Sequence, residues 1–115
     1  MFFFGGGSNL NEMDVKQVHE AIQAKGKDAL LLDVRSEGEY AQARVEGSKL
    51  ISLAILAYKH EDIKDYKDKD VYIICRSGQR SRSACDILTK AGFTSVYNVT
   101  GGIMSWGRAG LPVAS

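Results

Sequence analysis

The residues best suited to chemistry lie in one stretch, Cys75-Arg76-Ser77-Gly78-Gln79-Arg80-Ser81-Arg82-Ser83. It follows directly on Val71-Tyr72-Ile73-Ile74, a β-branched and aromatic run that reads as the strongest strand of the chain. Small and hydrogen-bonding residues then lead towards a helix, with Gly78 in the middle of the connection. A tight strand-to-helix loop of this type turns successive backbone N–H groups inward and makes a nest for an anion. The helix that follows adds the positive end of its dipole. Arg76, Arg80 and Arg82 bring three positive charges within seven residues of Cys75. The pattern is an anion-binding cradle with a sulfur in or beside it.

Only the thiolate of a cysteine is a good nucleophile, and a free cysteine with a pKa near 8.5 is about 7% ionised at pH 7.4. A fall of about two units raises that to roughly 90% and needs about 2.7 kcal/mol of preference for the anion. A helix end supplies only about 0.3–1 kcal/mol. Direct N–H···S hydrogen bonds and guanidinium charge must provide much of the rest. Flanked by arginine, serine and glycine, Cys75 does not read as a packing residue. Cys85 does: it lies inside the next helix beside Ala84 and Leu88. A strand end and a mid-helix position do not offer the Cα separation of under about 7 Å that a disulfide between the two needs.

The rest of the chain has to position this loop. Its 115 residues are 44% hydrophobic and 25% charged, with a net charge of +1. That length fits one domain, and a domain of this size buries roughly two-thirds of its surface on folding. The charge balance excludes a nucleic-acid binder that works by bulk electrostatics. Two cysteines exclude a secreted disulfide scaffold, so a cytoplasmic protein is expected. Residues 1–10 read as a short Phe/Gly-rich tail and 11–115 as the domain. Phe2, Phe3 and Phe4 are far short of the about 20 apolar residues of a membrane span, and no signal-peptide pattern surrounds them. The expectation is a tail packed on the domain through a joint at Gly5 to Gly7, with no stable membrane insertion.

Strand-like and helix-like segments alternate. Asp14 and Gln17 read as a capping box, and Gly26 ends the helix behind it. Ala29 to Val34 is an apolar run broken only by Asp33, consistent with a strand buried on both faces. Ser36 and Glu39 form a second capping box for a helix through Ala43. A weaker strand is expected at Leu50 to Leu53, a helix or helix pair at Ile55 to Tyr66, and a helix at Ser83 to Ala91 stopped by Gly92. Val96 to Val99 reads as the last strand and Gly102 to Arg108 as the last helix. This alternation predicts an α/β fold with a mainly parallel sheet, whose ligands sit beyond the carboxyl ends of the strands.

Four pieces of the sequence, in chain order, resemble the rhodanese-like sulfurtransferases, and the likeness runs from Met13 to Val113. They are Leu32-Asp33-Val34-Arg35 with Glu37 and Tyr40, then Val45-Glu46-Gly47-Ser48, then Cys75 to Ser81, and finally Gly101-Gly102-Ile103-Met104-Ser105-Trp106 with Ala109-Gly110-Leu111-Pro112-Val113. The resemblance implies a three-layer fold with a five-stranded, mainly parallel central sheet flanked by helices. It implies catalysis through a Cys75 persulfide, loaded from a small anionic donor such as thiosulfate and unloaded to cyanide, a thiol or a protein acceptor, with no cofactor. The backbone of Arg76, Ser77, Gly78, Gln79, Arg80 and Ser81 would hold the persulfide, and Arg76 and Arg80 would attract the donor. Asp33, with Arg35, would support the active loop rather than act as an acid. Related phosphatases on this fold carry Cys-x5-Arg, whereas this loop is Cys-x4-Arg and closes at Arg80. Arsenate or phosphate-ester chemistry is therefore the weaker enzyme reading, and a non-catalytic or protein-specific sulfur-relay or binding module is the main alternative. Arg44, Glu46 and Ser52 depart from the family's usual histidine and prolines, which makes the turn at Arg44 to Ser48 atypical.

The other polar and glycine motifs have plainer readings. Gly101 and Gly102 permit a tight turn into the last helix rather than binding phosphate. Trp106 reads as core or an edge of the pocket wall. His19 and His60 have no ligand-like spacing to the cysteines, so no metal site is expected. The run Lys59 to Asp70 alternates in sign and reads as a solvated face.

Overall fold

The computed structural model describes residues 10–115, so the Phe2-Phe3-Phe4 tail lies outside the described residues. Five strands form one sheet: β1 (Glu12–Met13), β2 (Ala29–Asp33), β3 (Lys49–Leu50), β4 (Asp70–Ile74) and β5 (Ser95–Val99). Their order is β1-β5-β4-β2-β3, and every pairing is parallel. Five α-helices make the crossovers and covers: α1 (Val15–Lys25), α2 (Glu37–Gln42), α3 (Leu53–Lys59), α4 (Arg80–Lys90) and α5 (Gly102–Arg108).

The alternation of side chains along a strand divides the core into two layers. Leu30 and Leu32 of β2, Val71 and Ile73 of β4, and Val96 of β5 pack with Leu56 of α3 and Ala84, Cys85 and Leu88 of α4. Ala29 and Leu31, Tyr72 and Ile74, and Val99 pack on the other face with Val15 and Val18 of α1 and Trp106 of α5. Burial on both faces explains the near-continuous apolar sequences of β2 and β4. Each such fully buried aliphatic side chain contributes about 1.5–3 kcal/mol relative to exposure. Trp106 belongs to this core, and its indole N–H donates to the Pro112 carbonyl at 2.9 Å.

Local signals placed most helix ends. The Asp14 carboxylate accepts from the Gln17 N–H at 2.9 Å, and Gly26, at φ 53°, ends α1 before a 3-10 turn at Gly26–Asp28. Ser36 and Glu39 form a reciprocal capping box at the start of α2, which ends one residue before Ala43. Two expectations are corrected, and one strand is added. The strand expected at Leu50 to Leu53 is only Lys49–Leu50, because Ser52 stands at the N-cap position of α3, without a side-chain cap bond, and Leu53 already opens the helix. Helix α4 starts at Arg80 rather than Ser83, preceded by Gln79, whose side chain makes no cap bond to mark the start. The edge strand β1, two residues long, has no signal of its own in the sequence and exists through its pairing with β5.

The atypical turn after α2 is closed by other means. The Ser48 hydroxyl donates to the Val45 carbonyl at 2.6 Å, the Tyr40 hydroxyl donates to the Ser48 carbonyl at 2.6 Å, and Gly47 takes φ 87°. Arg44 lays its guanidinium over the Tyr40 ring, 5.4 Å from the centroid, and its backbone pairs antiparallel with Ala114. The run Lys59 to Asp70 is exposed at Lys59, Glu61, Asp62, Lys64, Asp65 and Asp68 and half-buried at most of the rest, so it is a solvated face only in part. Ile63 is buried in the core, and Asp70 opens β4 and pairs with Lys25.

Candidate active site

Cys75 follows the last residue of β4, at the carboxyl end of the sheet, with its side chain on the α3/α4 face. It is 1% exposed. Residues 76–79 form the loop, and the Gly78 N–H points back at the sulfur at 3.1 Å. Gly78 does so at φ 102°, a backbone conformation that L side chains rarely adopt. The first turn of α4 brings the Ser81 hydroxyl 3.4 Å from the sulfur. Burial pushes the Cys75 thiol up. The Ser81 hydroxyl and the N–H groups of Ser81, Gly78 and Ser77 oppose it by bonding the anion, and together they hold the thiol below its ordinary value.

The loop is held from behind by α5. The Ile103 N–H donates to the Cys75 carbonyl at 2.8 Å, and the Met104 N–H donates to the Arg76 carbonyl at 3.1 Å. This approach explains Gly102, at φ 59°: a Cβ there would lie 2.4 Å from the Cys75 oxygen and 2.5 Å from that of Arg76. The sequence suggests a tight turn at this glycine but not that the turn presses on the reactive loop.

The three arginines divide. Arg80 is engaged by Glu39 of α2, Nη1 to Oε1 at 2.7 Å and Nη2 to Oε2 at 2.8 Å. Beside that guanidinium, and with the Ser36 N–H also donating to it, the Glu39 carboxyl falls to about 2. Arg82 turns towards β1, where Glu12 lies 3.4 Å away. Arg76 alone of the three is in no ion pair among the described residues. The expected concentration of positive charge is thus largely compensated, and Arg76 is the exposed cation at the loop.

Asp33 and Arg35 are both buried and bond each other, Nη2 to Oδ2 at 2.8 Å and Nε to Oδ1 at 3.0 Å. Asp33 shares its sheet face with Leu31, opposite to the face of Cys75, and makes no hydrogen bond to residues 75–81. Its hydrogen bonds thus serve the neighbouring loop through Arg35, while its charge acts on Arg80 beside the active loop. Arg35 donates to the Ala43 carbonyl at 2.6 Å and so fixes the end of α2, the helix that carries Glu39. Cys85 lies in the same core layer as Cys75; burial, with the negative charges of Glu12 and Cys75 nearby, pushes its thiol up to about 12. Both cysteines are free. Among the described residues no group of three or more His, Cys, Asp or Glu could hold a metal ion, and no helix is long and apolar enough to cross a membrane.

One buried residue at the site is not singled out by any sequence motif. Asn98 of β5 donates through Nδ2 to the Gly78 carbonyl and to Glu12, each at 3.1 Å, and accepts from the Ser81 hydroxyl. Its signal is a polar residue inside an apolar strand, but only the adjacency of β5 and β4 gives that residue a partner.

Comparison with known proteins agrees with this geometry. The description "Rhodanese-like domain" matches residues 14–109. A protein named sulfurtransferase from Allochromatium vinosum is 36% identical over 106 residues, covering 92% of this chain and 96% of its own. The thiosulfate sulfurtransferase GlpE of Actinobacillus succinogenes is 34% identical, covering 89% and 88%. The crystal structure of a rhodanese-related protein from Thermoplasma volcanium superposes with a TM-score of 0.79 at 31% identity, covering 90% of this chain and 97% of that one. With a five-stranded parallel sheet, a cysteine loop at its carboxyl edge and relatives named for sulfur transfer, this chain belongs to the rhodanese-like domain family.

Proposed function

We propose that the protein is a thiosulfate sulfurtransferase that works through a Cys75 persulfide. The observation that carries this reading is the convergence of loop N–H groups on a buried sulfur with a lowered pKa, with the Ser81 oxygen 3.4 Å away. The Cys75 thiolate attacks the outer sulfur of thiosulfate. A Cys75 S–S bond forms, the S–S bond of the donor breaks, and its electron pair leaves with sulfite. The persulfide keeps its negative charge on the outer sulfur, within reach of the same donors. An acceptor such as cyanide or a thiolate then attacks that outer sulfur and restores the Cys75 thiolate. The two half-reactions give ping-pong kinetics.

Arg76, exposed and in no ion pair among the described residues, is the cation that would draw the dianionic donor to the loop. A protein thiol is an equally suitable acceptor in chemical terms. The test is intact mass spectrometry after exposure to thiosulfate and again after cyanide. One sulfur should be gained on the peptide bearing Cys75 and then lost as thiocyanate, and neither should occur in Cys75→Ser. Thiocyanate formation at an unchanged rate in that variant would refute the proposal, and faster turnover of an aryl phosphate than of thiosulfate would favour phosphoryl chemistry instead.

A further inference from the structure

Asn98 is 1% exposed and touches two of the residues that bond the Cys75 sulfur, Gly78 and Ser81. Its Nδ2 is committed to the Gly78 carbonyl and the Glu12 carboxylate, two groups that can only accept. The amide oxygen must therefore face Ser81, and since that oxygen has no proton to give, the Ser81 hydroxyl donates to it. Ser81 has one hydroxyl proton, and its oxygen also lies 3.4 Å from the Cys75 sulfur. While Asn98 holds that proton, Ser81 offers the sulfur a lone pair. A lone pair suits S–H and does nothing for a thiolate.

We propose that Asn98 is a positioning residue of the sulfur site that competes with the Cys75 thiolate for the single proton of the Ser81 hydroxyl. In the thiol state Cys75 donates to Ser81 and Ser81 donates to Asn98, and every group is satisfied. When the thiol proton leaves to solvent, the hydroxyl must turn to the sulfur, and the buried amide oxygen loses its donor. Ionisation of Cys75 is thereby opposed by one hydrogen bond, worth about threefold to tenfold in the ionisation constant. The ionisable neighbours are Arg80 and Cys85 of α4, Asp33 of β2 with its partner Arg35, Glu12 of β1 and Arg76 of the loop. Replacing Asn98 by an apolar residue alters the formal charge of none of them. What the competition means for sulfur transfer rests on the function proposed above, but the competition itself is read on the free thiol with no donor present.

The experiment follows the pH dependence of Cys75 alkylation by iodoacetamide, located by peptide mass, in the wild type, Asn98→Leu, Ser81→Ala and the double variant. Asn98→Leu should raise the ionisation constant about threefold to tenfold, moving the midpoint to lower pH, and the gain should vanish when Ser81 is also alanine. A midpoint that stays or rises in Asn98→Leu, or the same shift with and without Ser81, overturns the proposal. If circular dichroism shows Asn98→Leu unfolded, Ser81→Ala decides alone, since alanine suits the first turn of a helix. The gain from donating to the thiolate is offset by the bond taken from Asn98, so the constant should change by less than about threefold in Ser81→Ala. A larger fall would mean that Ser81 donates to the thiolate unopposed and would reject the competition.

Discussion

The Glu39 carboxylate grips the Arg80 guanidinium through two parallel hydrogen bonds of 2.7 and 2.8 Å, tying α2 to the first turn of the helix behind the reactive loop. A bidentate pair compensates the charge of Arg80 and fixes its plane. Replacing Glu39 by glutamine keeps the shape and leaves the guanidinium uncompensated. Steady-state kinetics of Glu39→Gln should show a KM for thiosulfate lowered by about twofold to fivefold, with a steeper rise of KM with salt. An unchanged salt dependence would mean that Arg80 does not act on the donor's charge.

The two thiols should separate cleanly on titration. Cys75 is held below its ordinary value, so its thiolate fraction, and with it the alkylation rate, should level off at lower pH than for a free cysteine. Cys85, pushed up to about 12, stays protonated and buried and should remain unmodified until the protein unfolds. Peptide mapping after alkylation at pH 7 and pH 9 checks both halves.

Gly102→Ala tests the contact between α5 and the loop. A Cβ 2.4 Å from the Cys75 carbonyl, at a positive φ, forces the two segments apart. The expected cost is about 1–3 kcal/mol from strain and overpacking. For a domain near this size that is a fall of about 4–8 °C in Tm per kcal/mol. The Cys75 midpoint should rise as well, because the loop donors lose their aim. A thermal melt together with the alkylation profile separates this from a purely global effect.

The buried pair Asp33–Arg35 should be far more sensitive to half-removal than to full replacement. Arg35→Ala strands an ionised carboxylate in the core and should cost about 3–5 kcal/mol by urea unfolding. The double change to apolar residues of similar volume should cost much less. Equal costs would mean that the Ala43 carbonyl bond, and not the charge, is the main loss.

Legibility in the sequence followed the range of the interactions. Ser36 and Glu39 cap α2 as read because both partners lie within four residues of each other. The apolar run of β2 announced a doubly buried strand, and the β-branched and aromatic run of β4 a strong one, for the same reason, since each reports its own environment. Cys75 was recognisable from its neighbours in the chain. Glu39 was readable only as a cap, because its second role depends on Arg80, forty-one positions away. Asn98 and Glu12 are further cases: they meet the loop only once β1, β5 and β4 lie side by side. Helix α4 begins earlier than expected because Gln79 leaves no side-chain signature of a start. The arginine cluster misled by proximity, since sequence neighbours on a helix can face different acidic partners.

The sulfur of Cys75 is met mainly by peptide N–H groups, and a peptide N–H carries no information about the side chain beside it. Ser77 and Gln79 can therefore be exchanged for other residues while the grip on sulfur persists, provided Gly78 keeps its turn. Whatever approaches the mouth of the loop meets the exposed side chains of Arg76, Ser77 and Gln79 first. The architecture separates grip from encounter: one path of main chain holds the sulfur, and the side chains at its mouth can change without loosening that hold.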